Sequence, residues 1–159
     1  MRLTVYTDYA LRLLMYLALK EDGLATIAEI AKSYGISRNH LMKVAYELGL
    51  AGYVEAVRGR GGGLRLARPP EAIGLGDVVR YTEQDMALVP CFSSYAEVPC
   101  AIRPSCVLRN ALAHANAAFV ETLDEYSLRD LVKPRVPLRK LLSIAPVTAQ
   151  KGTRVAARM

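Results

Sequence analysis

No stretch of this chain approaches the roughly 18 consecutive apolar residues of a membrane-spanning helix, so a membrane protein is not expected. After Arg2 the apolar residues are interrupted by Asp8, Arg12 and Lys20, which is not a secretory leader. The cytosol is therefore the expected compartment, where clustered thiols favour metal binding or redox sensing over a structural disulfide. No Gly-Lys-Ser/Thr sequence closes the glycine-rich stretch, which argues against a nucleotide phosphate loop. Histidine is scarce, with only His40 and His114. No Ser/His/acid set stands out and no cysteine has a histidine in an obvious pairing position, so an enzyme is not expected. No two cysteines lie two to four residues apart, as structural zinc pairs normally do. There are no internal repeats.

What is present is unevenly placed. The 159 residues, 52% hydrophobic, suffice for one domain, or a small domain with an extension. Of the net charge of +6, residues 34–70 carry a large share: Arg38, Lys43, Arg58, Arg60, Arg65 and Arg68 against Glu47 and Glu55. A basic segment inside a folded domain fits contact with a phosphate backbone, although charge alone also fits a solvated face.

Along the chain, Thr7 and Asp8 look like the start of a helix carrying Leu11, Leu14, Met15 and Ala18 at helical spacing, ended by Glu21-Asp22-Gly23. Thr26-Ile27-Ala28-Glu29 reads as a capping box opening a second helix through Ala31. Gly35 suits a tight turn. Ser37 then caps a third helix whose buried stripe is Leu41, Val44, Ala45 and Leu48. This is a helix-turn-helix pattern, with Ser37, Arg38, Asn39, His40 and Lys43 where a recognition helix enters the major groove. Tyr53–Val57 and Leu64–Leu66 read as strands joined by a glycine-rich tip carrying Arg58 and Arg60. With Arg65, these would be the DNA contacts of a wing, because glycines admit close backbone approach and arginines enter the minor groove.

Pro69-Pro70 closes this part, and Ile73 to Glu83 forms a short helix burying Leu75, Val78 and Val79. A long helix follows from Cys106 to about Tyr126. Its Leu108, Leu112, Ala115, Phe119, Leu123 and Tyr126 alternate three and four apart, a seam suited to pairing in a homodimer. The alternative is a helix folded back on its own domain. Ser127–Val132 makes a capped turn and Pro137–Leu142 a short amphipathic piece.

All three cysteines, Cys91, Cys100 and Cys106, fall in one 16-residue stretch rich in turn formers. An odd number cannot be closed entirely by internal disulfides. Three thiolates leading into a helix suit an iron–sulfur cluster, whose fourth ligand must come from elsewhere or be an exchangeable small molecule. Zinc and cluster-free thiol redox sensing are the other readings. The fold class is mainly α with a small β wing. A winged helix-turn-helix domain spans 1–83, a cluster-binding loop 84–106, a dimerisation helix and C-terminal helical turn 107–145, and a disordered basic tail 146–159.

Met1-Arg2-Leu3-Thr4 with Thr7–Arg12, Val57–Gly63, Gly76-Asp77-Val78-Val79 and the cysteine triplet resemble the Rrf-two winged-helix regulators over roughly residues 1–142. Tyr34–Lys43, Tyr126–Val132 and Pro137–Leu142 are similar to the nitric-oxide-responsive branch of that family. The resemblance implies a homodimeric repressor of a palindromic operator in double-stranded DNA, with nitric oxide as effector. It implies a [4Fe-4S] or [2Fe-2S] cluster on Cys91, Cys100 and Cys106, with Asp8 of the partner subunit as fourth ligand. A branch concerned with cluster biogenesis carries a ligating histidine three residues after the third cysteine; here that residue is Arg109. The eight-residue gap between Cys91 and Cys100 is similar to the iron-responsive branch, which keeps iron sensing as the alternative.

Overall fold

The computed structural model of the chain describes residues 2–20, 23–92 and 99–145. Its elements are α1 (Val5–Leu19), α2 (Ile27–Tyr34), α3 (Arg38–Leu50), β1 (Val54–Val57), β2 (Gly63–Leu66), α4 (Leu75–Thr82), α5 (Val107–Asp124), α6 (Leu128–Leu131) and α7 (Arg135–Leu141). The architecture is mostly helical with one two-stranded antiparallel sheet.

Helix α1 starts earlier than Thr7 and Asp8 suggest. The Thr4 hydroxyl accepts the Thr7 N–H at 3.2 Å, which makes Thr4 the cap and puts Asp8 in the first turn, where the helix dipole favours an anion. Thr7 is instead fully buried, and its hydroxyl donates to the Thr82 hydroxyl at 2.8 Å. Glu83 accepts the Thr4 N–H at 2.7 Å, so this polar latch fixes the start of α1 to the end of α4. At its other end α1 stops at Leu19. Of the expected terminator, Glu21 and Asp22 lie outside the described residues. Arg135 donates to the Ala18 carbonyl at 3.1 Å and Arg139 to the Leu19 carbonyl at 2.6 Å. Both satisfy carbonyls that a helix end leaves unpaired, and their charge suits the C-terminal end of the dipole.

The capping box of α2 has both of its bonds, Glu29 N–H to Thr26 Oγ1 at 3.2 Å and Thr26 N–H to Glu29 Oε2 at 2.6 Å. The helix continues past Ala31 to Tyr34, and Gly35 closes it at φ 65°, a conformation that costs glycine little. Ser37 occupies the cap position of α3 without a side-chain hydrogen bond, and Leu41, Val44, Ala45 and Leu48 are buried. In the wing, Val54 pairs with Leu66, Glu55 with Arg65, Ala56 with Leu64 and Val57 with Gly63. Ala25 extends this ladder: its N–H reaches the Leu64 carbonyl at 2.9 Å and its carbonyl takes the Leu64 N–H at 2.8 Å. The wing is thereby tied to the connection between α1 and α2.

Val78 and Val79 of α4 are buried, whereas Leu75, expected with them, is only partly so because it occupies the helix's first position beside a backbone bridge. That bridge pairs Leu75 N–H with the Tyr126 carbonyl and Leu128 N–H with the Ile73 carbonyl, each at 2.8 Å. It also explains why α5 ends at Asp124 instead of Tyr126: the chain is drawn out of the helix to pair with residues 73–75. The Ser127 N–H then bonds Asp130 at 2.9 Å, opening α6. Leu128, Val132, Leu142 and Ile144 enter the core with Leu13, Leu14, Ile30, Leu41 and Leu48. The segment following α5 thus returns to the winged domain and packs on α1. The tail 146–159 lies outside the described residues. No helix among the described residues is long and apolar enough to cross a membrane.

Candidate functional site

Two regions carry the residues singled out by the sequence. On α3, Ser37, Arg38, Asn39, His40 and Lys43 are all exposed, because the buried stripe uses the opposite side of the helix. The His40 ring lies 6.1 Å from that of Tyr9 on α1, which holds one end of this surface. Met42, Tyr46 and Leu50 continue the exposed face of Asn39 and Lys43, with Tyr46 65% exposed. The sequence reading passed over them, although their three- and four-residue spacing from Asn39 carries the signal.

Arg58 and Arg60 are exposed at the wing tip. The tip needs its glycines: Gly59 and Gly61 have φ of 105° and 80°, and a Cβ on Gly62 would overlap the Val57 carbonyl. Arg65 is exposed but engaged, since it pairs with Glu55 directly across the ladder at 2.9 Å. Arg68 has a different use. It donates to the carbonyls of Gly52 and Ala51, both at 2.9 Å, and stacks 4.6 Å from the Tyr53 ring, locking the turn after α3. Arg38 and Lys43 of α3 and Arg58 and Arg60 of the wing tip are therefore exposed basic side chains.

The cysteines lie in the segment leading into α5. All three are free thiols, Cys100 exposed and the other two half-buried. Cys106 is the cap residue of α5, and its Sγ accepts the Arg109 N–H at 3.3 Å. Cys91 lies in a short 3-10 turn, Pro90–Phe92. Three reduced sulfurs, one of them already receiving a backbone N–H, form a donor set that suits a thiolate-bound cluster. Among the described residues of one chain, no three His, Cys, Asp or Glu side chains converge closely enough to hold a metal ion. Asp8 is engaged on its own helix, with its Oδ1 2.9 Å from Arg12 Nε. Arg12 in turn lies 5.8 Å from the Tyr34 ring, whose phenol is pushed up to about 12 by burial.

Helix α5 is capped by Cys106 at its start and packs on α4. None of its residues is buried. Leu108, Ala115 and Tyr126 of the expected seam are exposed, with Leu108 64% exposed, while Leu112, Phe119 and Leu123 are half-buried. Phe119 lines one cleft with Leu3 and Leu88 of its own chain. At its C-terminal end, Arg80 of α4 grips both oxygens of Asp124, at 3.0 and 2.7 Å, and also bonds Asp77 at 2.8 Å. Gly76 allows this approach, because a Cβ there would collide with the Asp124 carboxylate.

Comparison with known proteins agrees with this architecture. The HTH-type transcriptional regulator NsrR of Bacillus subtilis is 51% identical over 145 residues, covering 91% of this chain and 99% of that protein. The protein of the same name from Geobacillus kaustophilus is 49% identical over 143 residues, covering 89% of this chain and 97% of its own length. Among solved structures, CymR, the global cysteine regulator of B. subtilis, superposes with a TM-score of 0.69 at 28% identity, covering 84% of this chain and 98% of that one. Residues 3–134 match the family described as "Rrf2: Iron-dependent Transcriptional regulator". With that match spanning the wing, α3 and the cysteine segment, the chain belongs to the Rrf2 family of winged-helix transcriptional regulators.

Proposed function

We propose that this protein is a cytosolic, homodimeric transcriptional repressor whose iron–sulfur cluster, held by Cys91, Cys100 and Cys106, makes DNA binding sensitive to nitric oxide. The observation that carries the reading is the position of Cys106 as the cap of α5, which puts a thiol ligand at the end of the helix proposed to pair the subunits. Asp8 of the partner subunit is the proposed fourth ligand. Its first-turn position and half-exposed carboxylate leave it reachable once its bond to Arg12 is exchanged. When bound, the cluster supplies iron sites to which a diatomic gas can bind.

The chain's own residues do the rest. Arg38, Asn39, His40 and Lys43 meet base edges and phosphates in the major groove of a palindromic operator, Ser37 sits at the helix entry, and the wing's Arg58, Arg60 and Arg65 meet the adjacent backbone and minor groove. Leu108, Leu112, Ala115, Phe119, Leu123 and Tyr126 form the subunit seam. Cys106 would tie the start of α5 to the cluster, so that loss of this tie would alter the separation of the two recognition surfaces, a coupling of about 1–3 kcal/mol in ordinary allosteric proteins. A second reading, iron availability as the signal, is favoured by the words "Iron-dependent" in the family description. Anaerobic purification followed by nitric oxide titration, with visible absorbance and operator binding read on the same sample, separates the two. Bleaching in step with DNA release supports nitric oxide sensing. A coloured protein that keeps its operator under nitric oxide and loses it to an iron chelator supports the second reading.

A further inference from the structure

One residue touches both ends of the cysteine segment. Arg109, in the first turn of α5, gives its backbone N–H to Cys106 Sγ at 3.3 Å. Its side chain runs the other way, with the guanidinium carbon 5.6 Å from the centre of the Phe92 ring, and Phe92 follows Cys91 directly. Arg109 and Cys91 line one cleft of about 630 Å³, with Arg103, Asp85 and Asn116 on its walls. Within it the Arg109 Nε is buried without any hydrogen-bond partner among the described residues, and so is the Asn116 Oδ1. Asp85, a carboxylate on the wall of the cleft, accepts the Ala87 N–H at 2.7 Å. A buried guanidinium N–H is costly to leave unpaired, so the Arg109 Nε–H is a donor open to an acceptor entering this cleft.

We propose that Arg109 is a positioning residue for the thiolate-bound cluster, its backbone fixing Cys106 and its guanidinium offering charge and an N–H to sulfur at Cys91. This rests on the cluster reading above. Several thiolates and a carboxylate around a cluster leave negative charge, and a cation held by stacking on Phe92 offsets it without becoming a ligand. The sequence alone marked Arg109 only as a missing histidine; in the structure it has a position of its own between the first and third cysteines.

The test compares the parent protein with Arg109→Gln and Arg109→Lys, each loaded anaerobically and matched for iron and sulfide content. Iron release to a chelator and visible circular dichroism are the readouts. Glutamine is expected to release iron about tenfold faster or more, the usual effect of losing a residue that supports a metal ligand, and to change the visible dichroism at equal iron content. Lysine is expected to fall closer to the parent, because it keeps the charge. Unchanged release and dichroism in Arg109→Gln overturn the proposal, as does a lysine variant that fails as badly as glutamine, since packing alone would then explain both. A parent protein holding neither iron nor sulfide overturns the cluster reading itself, and this inference with it.

Discussion

Leu128→Ala asks whether the segment after α5 belongs to the winged domain. Leu128 is 2% exposed and seated among Leu11, Leu14, Ile73, Val78 and Leu131, in a space too small to admit water. Removing its three terminal carbons forfeits their transfer free energy and leaves a cavity whose walls belong to three different helices and can collapse only in part. Leucine-to-alanine changes of this kind cost about 3–5 kcal/mol. At the lower figure, a domain of this size should melt roughly 6–12 °C earlier. The reference is Val136→Ala in α7, where the side chain is 81% exposed and the change should stay within about 0.5 kcal/mol. Urea unfolding followed by far-ultraviolet circular dichroism, at one protein concentration and with thiols reduced, measures both. A Leu128→Ala midpoint that coincides with that of Val136→Ala would refute the reasoning, because α6 would then be a passenger on the core.

Arg60→Ala should weaken operator binding with little change in thermal stability, and should reduce the slope of log affinity against log salt by about one, as for a lost phosphate contact. An unchanged affinity and slope would remove the wing tip from the interface. Leu108→Glu should leave the protomer folded, since the side chain is already exposed in it, and raise the dimer dissociation constant by a factor on the order of a hundred, read by analytical ultracentrifugation. Lys133 and the Ser127 hydroxyl and N–H hold the Asp130 carboxylate well below its ordinary range. A lowered native pKa gives a stabilisation that is present above the unfolded value and lost as pH falls toward the native one. Asp130→Asn should therefore flatten the acid limb of the stability profile below about pH 4 and leave its shape near neutrality unaltered.

Most of the winged domain was legible because its signals are local. The Thr26 capping box, Gly35, the Leu41–Leu48 stripe and the glycine-rich hairpin each declare themselves within one short stretch of chain. What could not be read depends on distant partners. The Thr7 hydroxyl looks like a helix cap until Thr82 is brought to it. Arg135 and Arg139 look like solvated charges, yet they close the end of α1 more than a hundred residues away in the chain. Segments as short as α6 and α7 show an apolar side but not the surface that receives it, so their return to α1 was invisible. The same division runs through the candidate site. The crowding of three cysteines is a pattern in one dimension, whereas the use of Arg109 emerges only when Phe92 is laid under its guanidinium.

The unequal anchoring of α5 has a mechanical consequence. Its C-terminal end is pinned by the Arg80–Asp124 grip and by the bridge between residues 73–75 and 126–128, whereas its first turn is neighboured by the cysteine segment itself. A rod of 18 residues is about 27 Å long, so a displacement of about 3 Å at Cys106 is a swing of only about 6° about Asp124. Such an arm trades travel for leverage. A small chemical event applied at its tip works against the pivot with the greatest moment the helix can offer, and whatever is mounted along its length moves in proportion to its distance from Asp124.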